Sequence, residues 1–202
     1  MNFNIIVVSP YSLRWSNIAS IRWEKLSKYL SLNHKVTFIT SSFKEPVKER
    51  SFDISETKLV EIPLKYYRRN PFSDNKSNTG GFSESSTQHK IKGEIRVLLE
   101  RFLPISSGGM LYHDYRSYKN EISRHLSINE INILITTYDP WFSIKLGNWF
   151  KRKYRNLIWV ADFRDPSFNL HGSLISRLGI FRAMTKEILR SADVVTVVTH
   201  QM

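Results

Sequence analysis

A doubly wound α/β domain built on a mostly parallel sheet is the fold this sequence predicts, and three observations carry the prediction. Short apolar runs recur along the chain, at Phe3–Ser9, Lys35–Thr40, Asn132–Thr136, Leu157–Ala161 and Val194–Val198. Runs apolar on both faces belong to buried parallel strands. Segments with helical spacing of apolar residues lie between them, and strands alternating with helices imply βαβ units. The run Leu157–Ala161 also ends abruptly in charge, at Asp162-Phe-Arg-Asp-Pro166. Open α/β sheets bind ligands at the carboxyl ends of their strands, so two carboxylates and a guanidinium fall where a site belongs.

The elements follow in order. Phe3–Ser9 reads as the first strand, with no basic leader ahead of it. Trp23, Leu26 and Leu30 share one face of a helix, with Ser20 as its N-cap. Asn33 and His34 end that helix before the second strand, Lys35–Thr40. Lys58–Pro63 is a third, weaker strand. Residues 68–90 are rich in Ser, Asn and Gly and read as a flexible insertion in a single domain. Ile91, Ile95, Leu98 and Phe102 form one helical stripe. Leu111, Tyr115, Tyr118, Ile122 and Leu126 form another. Then come strand Asn132–Thr136, helix Trp141–Lys153, strand Leu157–Ala161, a helix from about Ser173 to Arg190, and strand Val194–Val198.

The 202 residues suffice for one domain with a sizeable core, and 41% hydrophobic content marks it as globular. Cysteine is absent, which excludes disulfides and thiolate metal sites. No run reaches membrane-spanning length, so a cytoplasmic location is expected, either free or peripheral at the inner face of the membrane. The net charge of +12 favours anionic partners. Cations with neighbouring aromatics occur at Lys65-Tyr-Tyr-Arg-Arg69 and Trp149-Phe-Lys-Arg-Lys-Tyr-Arg155. Each is either a solvated face with its aromatics turned inward or a contact for an anionic membrane surface.

Three strand exits carry candidate chemistry. The first, Ser9–Ser20, is placed where a helix N-terminus receives phosphate, yet it lacks both the dinucleotide and the P-loop glycine patterns. It supplies Arg14, Ser16 and Asn17, with Arg22 one turn into the helix. These are a phosphate-binding loop, or only a helix cap and surface arginines. The second exit holds Tyr138 and Asp139, where Asp139 reads first as an N-cap before Pro140 and a cleft-lining role is compatible with that. The third holds Asp162, Arg164 and Asp165. Two readings stay open: an ion-pair cluster holding the loop, or a general base with its orienting partner, since a carboxylate beside arginine stays ionised. Six scattered histidines form no ligand spacing, so no metal is expected. A G-x-S-x-G nucleophile elbow is absent as well.

Taken together, several segments resemble a known family. These are Ile5-Ile-Val-Val-Ser-Pro10, Ala19-Ser-Ile-Arg22 followed by Leu26-Ser-Lys-Tyr-Leu30, and His34-Lys-Val-Thr-Phe-Ile-Thr40. Further on come Ile135-Thr-Thr-Tyr-Asp-Pro140, Val160-Ala-Asp-Phe-Arg-Asp-Pro166 and Ala192-Asp-Val-Val-Thr-Val-Val-Thr199. In this order they resemble the N-terminal domain of GT-B glycosyltransferases of the retaining family 4, in a subgroup serving cell-surface polysaccharide synthesis. The resemblance implies a Rossmann-like sheet forming one half of a two-domain enzyme. It implies an acceptor-binding role for this half and a separate C-terminal domain, absent from these residues, for the nucleotide-sugar donor. No metal or other cofactor is implied. Asp162 and Asp165 fall in the loop near the reacting centre, and the loop at Ser16 and Asn17 approaches the donor phosphates. That loop departs from the family by reading Trp15-Ser-Asn-Ile18, where adjacent glycines are usual.

The expectation is therefore part of a transferase that moves a sugar from a nucleotide-sugar to a saccharide or lipid-linked acceptor, and that is inactive alone. One alternative is a split enzyme whose donor domain is a separate polypeptide. Another is a basic nucleic-acid-binding α/β domain, which rests on charge alone.

Overall fold

The computed structural model describes residues 2–10, 13, 18–42, 53, 56–63, 66–67, 111–112, 115–138, 141–163, 186–187 and 189–197. Six parallel strands form the main sheet: β1 (Phe3–Val8), β2 (Lys35–Ser42), β3 (Lys58–Pro63), β6 (Ile131–Tyr138), β7 (Ile158–Phe163) and β8 (Val194–Val197). Two-residue strands β4 (Tyr66–Tyr67) and β5 (Leu111–Tyr112) pair antiparallel by themselves. The main order is β3-β2-β1-β6-β7-β8, which grows outward from β1 in one direction and then from β6 in the other. That is the Rossmann-like doubly wound order, with its reversal between β1 and β6.

Parallel strands need helical crossovers, and three helices supply them on both faces. Helix α1 (Ile18–Ser31) lies on one face. Its Trp23 packs with Ile5, Val7, Val36 and Phe38. Helices α2 (Tyr115–His125) and α3 (Trp141–Lys153) lie on the other. There Tyr118, Ile122, Phe142 and Phe150 pack over Val8, Leu134 and Trp159. Because both faces are covered, β1 is buried from Asn4 to Val8, as its unbroken apolar run requires.

Helix α3 sits close to the sheet at Gly147. A Cβ there would stand 2.0 Å from Trp159 Nε1, so only glycine admits the indole. The indole N–H donates to Thr136 Oγ1 at 2.9 Å, and Ser143 Oγ donates to the carbonyl of Thr137. On the same face Tyr118 and Ser41 share a 2.6 Å hydrogen bond, and burial pushes the tyrosine pKa up.

The sequence placed most elements, and the structure corrects several details. Ser20 is the third residue of α1, not its cap. Leu26 is exposed at the edge of the buried stripe, which runs instead through Trp23 and Ser27, four residues apart. Leu111 belongs to β5 and not to the stripe of α2. Strands β6 and β7 run further than expected, because Thr137 pairs with Asp162 and Tyr138 with Phe163. Asp162 is thus a strand residue, not a loop residue. The stripe from Ile91 to Phe102, the insert at 68–90 and most of the helix from Ser173 lie outside the described residues.

Candidate functional site

Strand alternation builds a polar row at the carboxyl ends, on the α1 face. Below it that face is apolar: Val36 and Phe38 on β2, Ile5 and Val7 on β1, Ile133 and Ile135 on β6. One step further along each strand the chemistry changes. Thr40 follows on β2, Ser9 just beyond β1, Thr137 on β6, Asp162 on β7 and Thr196 on β8. Ser9 continues the ladder by donating its N–H to Ile39 at 3.0 Å. The registers set Asp162 beside Thr137 on one flank and beside Thr196 on the other. Ser9, Thr40, Thr137 and Asp162 are all buried.

Arg22 closes the row from above. From the second turn of α1 it reaches past β6 to β7 and grips Asp162 with both guanidinium nitrogens. Nη2 donates to Oδ1 at 2.8 Å and Nη1 donates to Oδ2 at 3.2 Å. Thr196 Oγ1 donates to Oδ1 at 2.6 Å. The Asp162 side chain is 1% exposed and the Arg22 side chain 28%. Burying a carboxylate this deeply is costly unless it is paired and hydrogen-bonded, and these three donors meet that need. Arg22 stays partly exposed, and three of its five N–H donors are not used on Asp162.

This arrangement bears on the two readings of Asp162. Both oxygens already accept charge-assisted hydrogen bonds, and the group is shut off from solvent. The geometry is that of an anchor that orients a guanidinium: three donors already occupy its acceptor sites, two on Oδ1 and one on Oδ2. The side-chain hydroxyls of Thr40 and Thr137 are different. Both are buried, and neither has a hydrogen-bond partner among the described residues. Buried hydroxyls are normally satisfied, so this row keeps unused polar capacity beside the ion pair.

Of the residues singled out in the sequence, the structure brings Arg22 and Asp162 together. Tyr138 lies at the same end but on the other face, stacked on Phe163 at 5.4 Å and edge-on to Trp141 at 6.0 Å. Arg14, Ser16, Asn17, Asp139, Arg164 and Asp165 lie outside the described residues. Lys65, Arg68 and Arg69 do so as well. Sequence reasoning missed Thr196, Thr137, Thr40 and Ser9. Their common signal is a hydroxyl residue ending each alternating α1-facing row, and it becomes visible once the register is known. Among the described residues no three His, Asp or Glu side chains gather into a set that could hold a metal ion. No described helix is long and apolar enough to cross a membrane.

Compared with known proteins, the chain matches no family model, no curated protein and no solved structure.

Proposed function

We propose that this chain is the acceptor-side lobe of a GT-B glycosyltransferase of family 4 type. One observation carries the reading: the two-pronged Arg22–Asp162 pair spans the carboxyl ends next to the strand-order reversal. Both partners come from segments that carry the family resemblance. Ligands of doubly wound sheets sit at that end. Asp162 offsets the charge of Arg22, so the pair and the hydroxyl row suit a ligand rich in hydroxyl groups, as a saccharide acceptor is. In the transfer, the bond from the sugar's anomeric carbon to the nucleoside diphosphate breaks and a bond to the acceptor oxygen forms. The acceptor proton leaves to a carboxylate. With Asp162 committed to Arg22, Asp165 is the residue proposed for that step.

The partners of this reading are a nucleotide-sugar and a saccharide or lipid-linked acceptor, with the donor held by a second lobe on the same or another polypeptide. Its place is the cytoplasmic face of a membrane. The test is ligand-induced thermal stabilisation of the chain, read against nucleoside-diphosphate sugars and against free and lipid-linked saccharides. Saccharide binding that Arg22→Lys weakens, with the circular dichroism spectrum unchanged, supports the reading. Absence of any shift across both ligand sets overturns it.

A further inference from the structure

Every strand of the main sheet is parallel, so each described helix returns the chain to one common end, opposite the polar row. Three helix-to-strand turns open there: residues 32–34, 126–130 and 154–157. We propose that this amino-end rim is a contact surface for lipid bilayers that carry anionic headgroups. The inference is independent of the ligand taken at the opposite end.

The rim holds apolar side chains at protruding tips. Ile128 is 100% exposed and Leu32 66%, and Ile131 is exposed at the start of β6. The Ile128 turn is braced from inside. Asn132 accepts the N–H of Ser127 at 2.8 Å and donates to the carbonyls of Ser127 and Glu130 at 2.7 and 3.2 Å. Buried Asn4 donates to Asn132 at 2.7 Å and to the carbonyl of His125 at 2.8 Å. The bracing presents the isoleucine outward without any packing around it. Phe3 pairs with Ile131 and meets His34 edge-on at 5.1 Å, which sets the Leu32 turn beside the Ile128 turn.

Cations share this rim with the tips, and Glu130 is the one carboxylate on the Ile128 turn. Each helix ends in basic residues: Lys28 on α1, Arg124 and His125 on α2, Lys151 to Lys153 on α3. Several are neutralised locally. Lys28 pairs with Asp53 at 2.5 Å, Arg124 with Glu121 at 2.5 Å, Lys151 with Asp193 at 2.8 Å and Arg152 with Glu187 at 3.6 Å. Lys35, Lys153 and Arg155 are exposed and have no carboxylate partner among the described residues. Lys119 and Lys153 both lie over the ring of Trp149, at 3.6 and 5.1 Å.

Helix dipoles account for a cation at each helix end, but not for a braced isoleucine with complete exposure. Separate apolar tips on one rim with cations that have no carboxylate partner among the described residues match the chemistry of an anionic bilayer, where the tips enter the acyl boundary and the cations meet headgroups. Nucleic acid would use the cations and leave the tips idle. A second copy would bring like charge against like charge, in a chain of net charge +12.

The test is co-sedimentation of the 202-residue chain with phosphatidylcholine vesicles and with vesicles containing phosphatidylglycerol. Binding is expected only to the anionic vesicles, weakening with added salt. The double variant Ile128→Ser with Leu32→Ser leaves charge unchanged and is expected to lower binding about tenfold or more. Lys153→Gln with Arg155→Gln is expected to reduce the salt dependence and serves as an independent variant. Failure to bind anionic vesicles overturns the proposal, as does equal binding by the serine variant with its melting temperature unchanged. Nucleic-acid binding, or self-association, that the serine variant abolishes while vesicle binding stays the same overturns it too.

Discussion

Arg22 and Asp162 are 140 residues apart in sequence and are joined by two hydrogen bonds, at 2.8 and 3.2 Å. The pair ties the helix after the first strand to the fifth strand of the sheet order. It also sets an asymmetry, because one partner is shut away from water and the other is not.

That asymmetry predicts unequal costs. Arg22→Ala leaves a carboxylate stranded at 1% exposure, and loss of a buried partner of this kind costs about 3–5 kcal/mol. Asp162→Asn leaves a guanidinium that still reaches solvent, and about 1–3 kcal/mol is expected. Urea unfolding of the two variants checks the order. Equal losses would mean that the carboxylate finds other donors.

Thr196 supplies the third donor to the same carboxylate, at 2.6 Å. Thr196→Val keeps the shape and removes a hydrogen bond to a charged group, worth about 1.5–3 kcal/mol. Thr196→Ser restores it. Chemical denaturation of the three proteins should place the serine variant near the parent.

Gly147 fits against the Trp159 indole with no room for a methyl group. Gly147→Ala is expected to cost about 1–3 kcal/mol or more by overpacking, despite the better helix propensity of alanine. A lowered melting temperature would confirm it, together with changed indole fluorescence as the Trp159–Thr136 bond is disturbed.

Asp193 gives a pH dependence. Burial alone pushes its pKa up, but hydrogen bonds from Lys151 and the Trp159 N–H, with the charge of Lys151, outweigh it and hold the value below the ordinary one. A group with a depressed folded pKa contributes its full stability above the unfolded pKa, about 3.9 for aspartate, and loses it as pH falls through the folded value. The urea midpoint should therefore drop across that acid range. Asp193→Asn should flatten that part of the curve.

The sheet and both helix faces were legible in the sequence because parallel strands announce themselves as short apolar runs with helical spacing between. The pairing of Arg22 with Asp162 was not legible. Each residue could be assigned to a strand exit or a helix turn, but their meeting depends on β6 entering between β1 and β7. The same holds for the hydroxyl row. A threonine that ends an apolar run looks like ordinary strand composition until the register sets it beside a buried carboxylate. Ser20 was misplaced for a local reason, since Ile18 starts α1 earlier than the capping pattern suggests, and Leu26 sits at the edge of a buried stripe that runs through Trp23 and Ser27.

The strand order has a consequence during synthesis. β1 is made first, yet it lies between β2 and β6, and β6 begins only at Ile131. At about 5–20 residues per second, the ribosome needs roughly 10 s to deliver that neighbour. For that interval Ile5 to Val8 has an open flank, and the middle of the sheet cannot close until β6 arrives. Non-local pairing of this kind also slows refolding of the finished chain, since the loop between the two strands must be closed before the contact is gained.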